Sequence, residues 1–152
     1  AMDYSRCAAL DIHYWFVMND RLADLLYWQN IHTLAANDQQ FPRVQDVILR
    51  NWRAHRAELV SWMDARMGEV AEMGRRNNKP VGNTEGWGLI NWLDHPALSW
   101  EVIQEAGEIC ARLGRKHGYR FNCTSNFTHP QFLRLWRDVA WHRGVTEIIR
   151  HG

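Results

Sequence analysis

The chain has 152 residues, with 18 basic and 17 acidic side chains and a formal net charge of +1. This length suits one ordinary domain, which can bury about 70% of the surface of its unfolded chain and needs no disulfide or metal to fold. The charges are too balanced for a typical nucleic-acid-binding protein, and no apolar run approaches the roughly 20 residues of a membrane helix. We therefore expect a single domain over residues 1–152 whose partners include neither nucleic acid nor a membrane.

The aromatic content is high, with nine Trp, four Tyr and five Phe. The three cysteines are widely spaced and form no CxxC pair, so they predict neither a disulfide framework nor a zinc site. The first residues lack the pattern of a secretory signal. We therefore expect a cytoplasmic protein with no metal and no cofactor, although a signal on a longer precursor would change the compartment.

The first predicted element is a strand within residues 7–17, in which Asp11, His13 and Trp15 share one face with Ala9. A helix is predicted over 21–35, and the polar loop after it ends at Pro42. Beyond the loop, apolar residues recur at helical spacing and predict a long amphipathic helix over about 43–76.

A second strand is predicted within residues 80–88, and Ser99 is expected to cap a helix over about 100–116 that Gly118 ends. A third strand is predicted within 119–125. Thr128 and Gln131 form a capping box for a last helix. Its predicted apolar stripe comprises Phe132, Leu135, Trp136, Val139, Thr146 and Ile149. The βα, βα, βα order predicts an α/β fold with parallel strands.

Polar and aromatic residues gather where these strands end, which is the edge at which parallel sheets place ligands. The candidate site residues are His13 and Trp15, then Asn83, Glu85 and Trp87, then Asn122 and Asn126. A carboxylate beside indoles suits a carbohydrate, because a sugar stacks its apolar face on the ring while carboxylates and amides bind its hydroxyls. The structural alternatives are that Asp11 and His13 pair within the core and that Glu85 merely solvates a turn.

The run Lys79-Pro-Val-Gly-Asn-Thr-Glu-Gly-Trp-Gly88 resembles the seventh strand of the cellulase-like glycoside hydrolases, a clan of retaining (β/α)8-barrel enzymes. His13-Tyr-Trp15 resembles the His-x-aromatic pattern that ends the strand before it, and residues 122–127 fall at the edge after the strand that follows. The resemblance implies a fold like strands six to eight of a TIM barrel. It also implies that Glu85 is the catalytic nucleophile and that His13 and Trp15 shape the sugar subsite, with Trp87 as a stacking platform.

Two features depart from the clan. Its acid/base is a Glu preceded by Asn, and the sequence contains no Asn-Glu dipeptide; a full barrel also takes at least about 200 residues. The resemblance therefore implies retaining hydrolysis of a β-linked glycan by a catalytic site of which this chain holds only a part. The edges of the predicted sheet would then be covered by a further barrel segment or by a second copy of the chain. Two alternatives stay open: a non-catalytic sugar-binding protein, and an unrelated small α/β domain with an aromatic core.

Overall fold

A computed structural model describes residues 3–19, 23–24, 38–87, 92–123 and 132–151. Most of the helix predicted over 21–35, the capping box of Thr128 and Gln131, and Asn126 lie outside these residues. The strands are β1 (Leu10–Asp11), β2 (Val81–Asn83) and β3 (Phe121–Asn122). The helices, numbered within the described residues, are α1 (Phe41–Arg76), α2 (Glu101–Lys116), α3 (Leu133–Trp136) and α4 (Val139–His151). Short 3₁₀ helices cover Phe16–Met18 and Asp38–Gln40.

The three strands form one parallel sheet in the order β1-β2-β3. Leu10 lies opposite Val81, and Gly82 lies opposite Phe121. Helices separate the strands along the chain, as connections between parallel strands require. This confirms the predicted α/β class, and the arrangement fits part of a TIM-like barrel. The first strand is shorter than its alternating pattern suggested, although the chain returns to the sheet where Trp15 bridges Trp87.

The long helix α1 confirms the strongest periodic pattern in the sequence. It begins at Phe41, slightly earlier than predicted, because Pro42 is tolerated in the first turn. It ends where Asn78 adopts a φ of 51°. Its inward stripe is fully buried at Ile48, Leu59 and Met63, so packing in the main hydrophobic core stabilises it.

Helix α2 has the predicted extent, and Gly118 ends it with a φ of 76°. The predicted Ser99 cap is wrong. The Ser99 N–H donates to Gln45 Oε1 (2.8 Å), and Gln45 Nε2 donates to Ser99 Oγ (3.0 Å). The serine therefore joins α1 to the start of α2 instead of satisfying an amide of its own helix.

The last predicted helix is divided into α3 and α4. Asp138 lies between them, accepts hydrogen bonds from the Trp141 N–H (3.1 Å) and from Gln104 Nε2 (2.7 Å), and so begins a new helix. The predicted stripe fails at Trp136 and Val139, which are exposed. The stripe assumes one continuous helix, whereas the structure has two separate helices here.

Among the described residues, most of the Trp side chains belong to the core. Trp15, Trp52, Trp87, Trp92 and Trp100 are all buried in one cluster. Phe16 meets Trp52 edge to face, with the ring centroids 5.5 Å apart. Within the described residues, no helix is long and apolar enough to cross a membrane.

Candidate functional site at the carboxyl ends of the strands

The turn after β2 carries Thr84 and Glu85 to the carboxyl edge of the sheet. Asp11, on β1, receives two hydrogen bonds from Thr84: its Oδ1 accepts from the backbone N–H (2.9 Å), and its Oδ2 accepts from the hydroxyl (2.5 Å). His13 Nε2 lies 3.2 Å from the same hydroxyl oxygen. The ends of β1 and β2 are thus joined through side chains at the edge where the sequence predicts a site.

His13 lies between two carboxylates. Its Nε2 is 3.6 Å from Asp11 Oδ1, and its Nδ1 is 3.8 Å from Glu85 Oε2. The exposed fractions of these side chains are 42% for His13, 39% for Asp11 and 36% for Glu85. The alternative that Asp11 and His13 pair inside the core is therefore wrong, because both side chains are open to solvent and to a ligand.

Asp11 is held in its charged form. Partial burial acts to raise its pKa, but the two hydrogen bonds from Thr84 and the nearby His13 outweigh that effect, so the pKa lies below its usual value. A general acid must carry a proton near neutral pH, which requires a raised pKa. Asp11 is consequently unsuited to protonate a leaving group.

The segment around Glu85 is anchored on both sides. Asn83 is fully buried, and its Nδ2 donates to the Cys123 carbonyl (2.8 Å). The Trp87 N–H donates to the Tyr14 carbonyl (2.9 Å). Trp87 also has a φ of 89°, a strained conformation for a residue with a side chain, and such strain tends to occur at functional sites.

Burial corrects the roles expected for three predicted residues. Trp15 is 4% exposed, and Asn83 and Trp87 are wholly inaccessible. A buried indole has no face on which a sugar can stack, so direct contact with a ligand does not fit this geometry. Both indoles, Trp15 and Trp87, pack in the hydrophobic core cluster instead. Trp92 is buried as well.

Asn122 is half-buried and serves the scaffold. Its Oδ1 accepts a hydrogen bond from Trp87 Nε1 (3.0 Å), and its Nδ2 donates to the Cys110 carbonyl (3.4 Å). Asn126 lies outside the described residues. Of the seven predicted residues, the structure therefore brings together His13 and Glu85 as exposed neighbours.

Three further residues at this edge, Thr84, Asp11 and Cys123, were not among the predicted site residues. Thr84 directly precedes Glu85 and is hydrogen-bonded to Asp11. Asp11 shares a predicted strand face with His13, and that shared face could have indicated Asp11 as a site residue. Cys123 follows β3, and its pKa is raised by burial and by the nearby Glu85 carboxylate. Nothing in the spacing of the cysteines pointed to this position.

Parallel strands joined through helices, with exposed carboxylates at their carboxyl ends, define an α/β protein of the kind that binds or processes small polar ligands at that edge. The model of the cellulase-like family, described as sugar-binding cellulase-like, matches residues 1–150. The chain belongs to this family. The predicted resemblance is thereby confirmed, and the alternative of an unrelated α/β domain is wrong.

One solved structure has the same fold. It is described as a "putative glycoside hydrolase" from Parabacteroides distasonis and superposes with a TM-score of 0.77 at 24% identity. The match covers 97% of this chain and 39% of the other. The chain thus spans about two fifths of the length of that protein. A comparison with curated proteins gives no match.

Proposed function

We propose that this chain supplies the nucleophile-bearing part of a retaining glycoside hydrolase site that acts on a β-linked glycan, with Glu85 as the nucleophile. The observation that carries the proposal is the exposed Glu85 carboxylate on the turn after β2, 3.8 Å from His13 at the end of β1. The cellulase-like, sugar-binding family supports a carbohydrate as the ligand. His13 is the neighbour best placed to contact a sugar hydroxyl.

In the proposed step, a Glu85 carboxylate oxygen bonds to the anomeric carbon while the bond from that carbon to the leaving oxygen breaks. The electron pair departs with the leaving oxygen. Water later attacks the same carbon, releases Glu85 and loses a proton to a base. In this class of enzyme a second carboxyl group, about 5–5.5 Å from the first, protonates the leaving oxygen.

The second carboxyl group is not assigned to this chain. The sequence contains no Asn-Glu dipeptide, and Asp11 has a lowered pKa that keeps it ionised. We therefore expect the chain to act poorly on natural glycans, whose leaving alcohols need a proton. A leaving group that departs as a stable anion removes this need and isolates the role of Glu85.

Dinitrophenyl β-glycosides provide that test. We expect a rapid release of dinitrophenolate, about one equivalent per chain, followed by slow turnover because deglycosylation lacks its base. Glu85→Gln abolishes the burst, and azide restores release with Glu85→Ala by forming an α-glycosyl azide. Glu72→Gln is the matched control, since Glu72 is an exposed α1 residue paired with Arg75 and Arg76. A burst that survives Glu85→Gln contradicts the proposal.

The second candidate function is sugar binding without catalysis. The missing acid/base dipeptide and the family's description as sugar-binding favour it. Calorimetric titration with β-linked oligosaccharides separates the two candidates. A binder takes up the oligosaccharide with the same affinity as wild type or Glu85→Gln and releases no dinitrophenolate. An enzyme releases dinitrophenolate from the dinitrophenyl glycoside, and Glu85→Gln loses that release.

The outer edges of the sheet support a proposal about assembly. Within the described residues β1 and β3 each pair with β2 on one side, and an open strand edge is normally covered. We propose that a further barrel segment or a second copy of the chain covers these edges. Light scattering at two concentrations distinguishes a dimer from a monomer. The cytoplasmic location expected from the sequence stays a prediction.

A further inference from the structure

Thr84 is bound at two atoms by a single carboxylate from another strand. Its backbone N–H and its hydroxyl donate to the two oxygens of Asp11, which lies 73 residues earlier in the chain. Hydrogen bonds to both oxygens of a carboxylate fix orientation as well as distance, and bonds to a charged acceptor are stronger than neutral ones. This contact therefore acts as a clamp between the end of β1 and the turn after β2.

The neighbouring residues of the turn have backbone anchors of their own. The Asn83 carbonyl accepts from the Cys123 N–H (3.0 Å), and Trp87 exchanges backbone hydrogen bonds with Tyr14 (2.9 Å) and Phe16 (3.4 Å). Thr84 and Glu85 lie between these two anchors. The Thr84 N–H, by contrast, donates to the side chain of Asp11, so the clamp holds the start of this stretch.

We propose that Asp11 is a positioning residue for Glu85, acting through Thr84. The inference rests on the proposed function, in which Glu85 attacks the sugar, and it adds a residue that need not touch the reacting atoms. A displacement of about 1 Å at a reacting group can slow a reaction by up to about a hundredfold. Holding the residue before Glu85 at two points limits such displacement.

The first test uses no sugar. In Asp11→Ala we expect the Thr84 amide to exchange with solvent about tenfold faster, and NMR relaxation to show a more mobile Glu85 side chain. Asp11→Asn retains one acceptor oxygen and should be intermediate. Thr84→Ser keeps both donors and should resemble wild type, whereas Thr84→Val keeps the backbone bond and loses the hydroxyl contacts with Asp11 and His13. Asp46→Ala, at an exposed α1 position, is the matched control.

The second test measures the rate of the dinitrophenolate burst. Asp11→Ala should slow it at least tenfold while the dissociation constant of the glycoside stays the same. Thr84→Val should slow it less, and Thr84→Ser should restore the wild-type rate.

The outcomes separate the two proposals. Unchanged Thr84 exchange in Asp11→Ala overturns the clamp. Faster exchange with an unchanged burst rate overturns the positioning role and leaves the proposed function standing. A wild-type chain without a burst overturns the proposed function, and the Glu85 mobility measurement then still decides whether Asp11 holds that side chain in place.

Discussion

Trp87 donates its indole N–H to the side-chain oxygen of Asn122 across 3.0 Å, linking the turn after β2 to the end of β3. The indole is wholly buried, and a buried Trp N–H usually has a partner because leaving it unpaired is costly. The residue two positions after Glu85 is therefore part of the scaffold that holds the site edge together.

Replacing Trp87 by Phe tests this assignment. The substitution keeps an aromatic ring but removes the donor, leaves the Asn122 oxygen unpaired and opens a small cavity. We expect the free energy of unfolding to fall by about 1–3 kcal/mol, measured by urea denaturation. A variant as stable as wild type that has lost sugar binding would instead support a stacking platform.

Gly82 is expected to tolerate no side chain. A Cβ at this position would lie 2.3 Å from the Phe121 carbonyl oxygen, a backbone atom that cannot move without separating β2 from β3. We expect Gly82→Ala to lower the free energy of unfolding by several kcal/mol, on the order of the most damaging core substitutions.

Gly144 is the matched control for Gly82. It lies in α4, and a Cβ there would meet nothing within 4 Å. Since alanine is a better helix former than glycine, Gly144→Ala should raise stability by about 0.5–1 kcal/mol. Urea denaturation measures both variants, and equal effects of the two substitutions would contradict the close approach of the strands.

The fold was predictable where one physical signal dominated. Helix α1 has a long apolar stripe, and the end of α2 at Gly118 requires a backbone conformation that glycine favours, so both could be predicted from the sequence. The division between α3 and α4 did not, because Asp138 begins the new helix with help from Gln104, a residue on another element. The prediction that Ser99 caps α2 failed for the same reason, because its partner Gln45 is distant in sequence.

The site was predictable in position and less so in composition. Parallel strands bring their carboxyl ends together, which placed His13 beside Glu85 as expected. Exposure was harder to infer, because Trp15 and Trp87 lie at the same edge as His13 yet point into the core. Period-two alternation assumes a regular strand, and β1 ends at Asp11, before the pattern reaches Trp15.

Asp64 should make stability depend on acid pH. Its pKa is lowered mainly by the hydrogen bond from Lys116, against an opposing effect of burial, with His117 adding to the lowering. A folded pKa below the ordinary value of 3.8 stabilises the folded state above that value, and the stabilisation is lost as pH falls through the folded pKa.

Asp64→Asn measures this contribution. Unfolding by urea at pH 7 and at pH values below about 3 should show the variant less stable than wild type at neutral pH, with the difference shrinking in acid. Glu147→Gln, an exposed residue of α4, is the control. A difference that is constant with pH would mean that the hydrogen bonds to Lys116 and His117 do not depend on the Asp64 charge.

The most direct measurement of the central claim is covalent trapping of Glu85. A 2-deoxy-2-fluoro β-glycoside with a dinitrophenolate leaving group slows the hydrolysis of the glycosyl-enzyme more than its formation, so the covalent adduct accumulates. Mass spectrometry of peptides should find one adduct, located on Glu85, in the wild-type chain and none in Glu85→Gln. An adduct on another carboxylate, or no adduct at saturating reagent, would contradict Glu85 as the nucleophile.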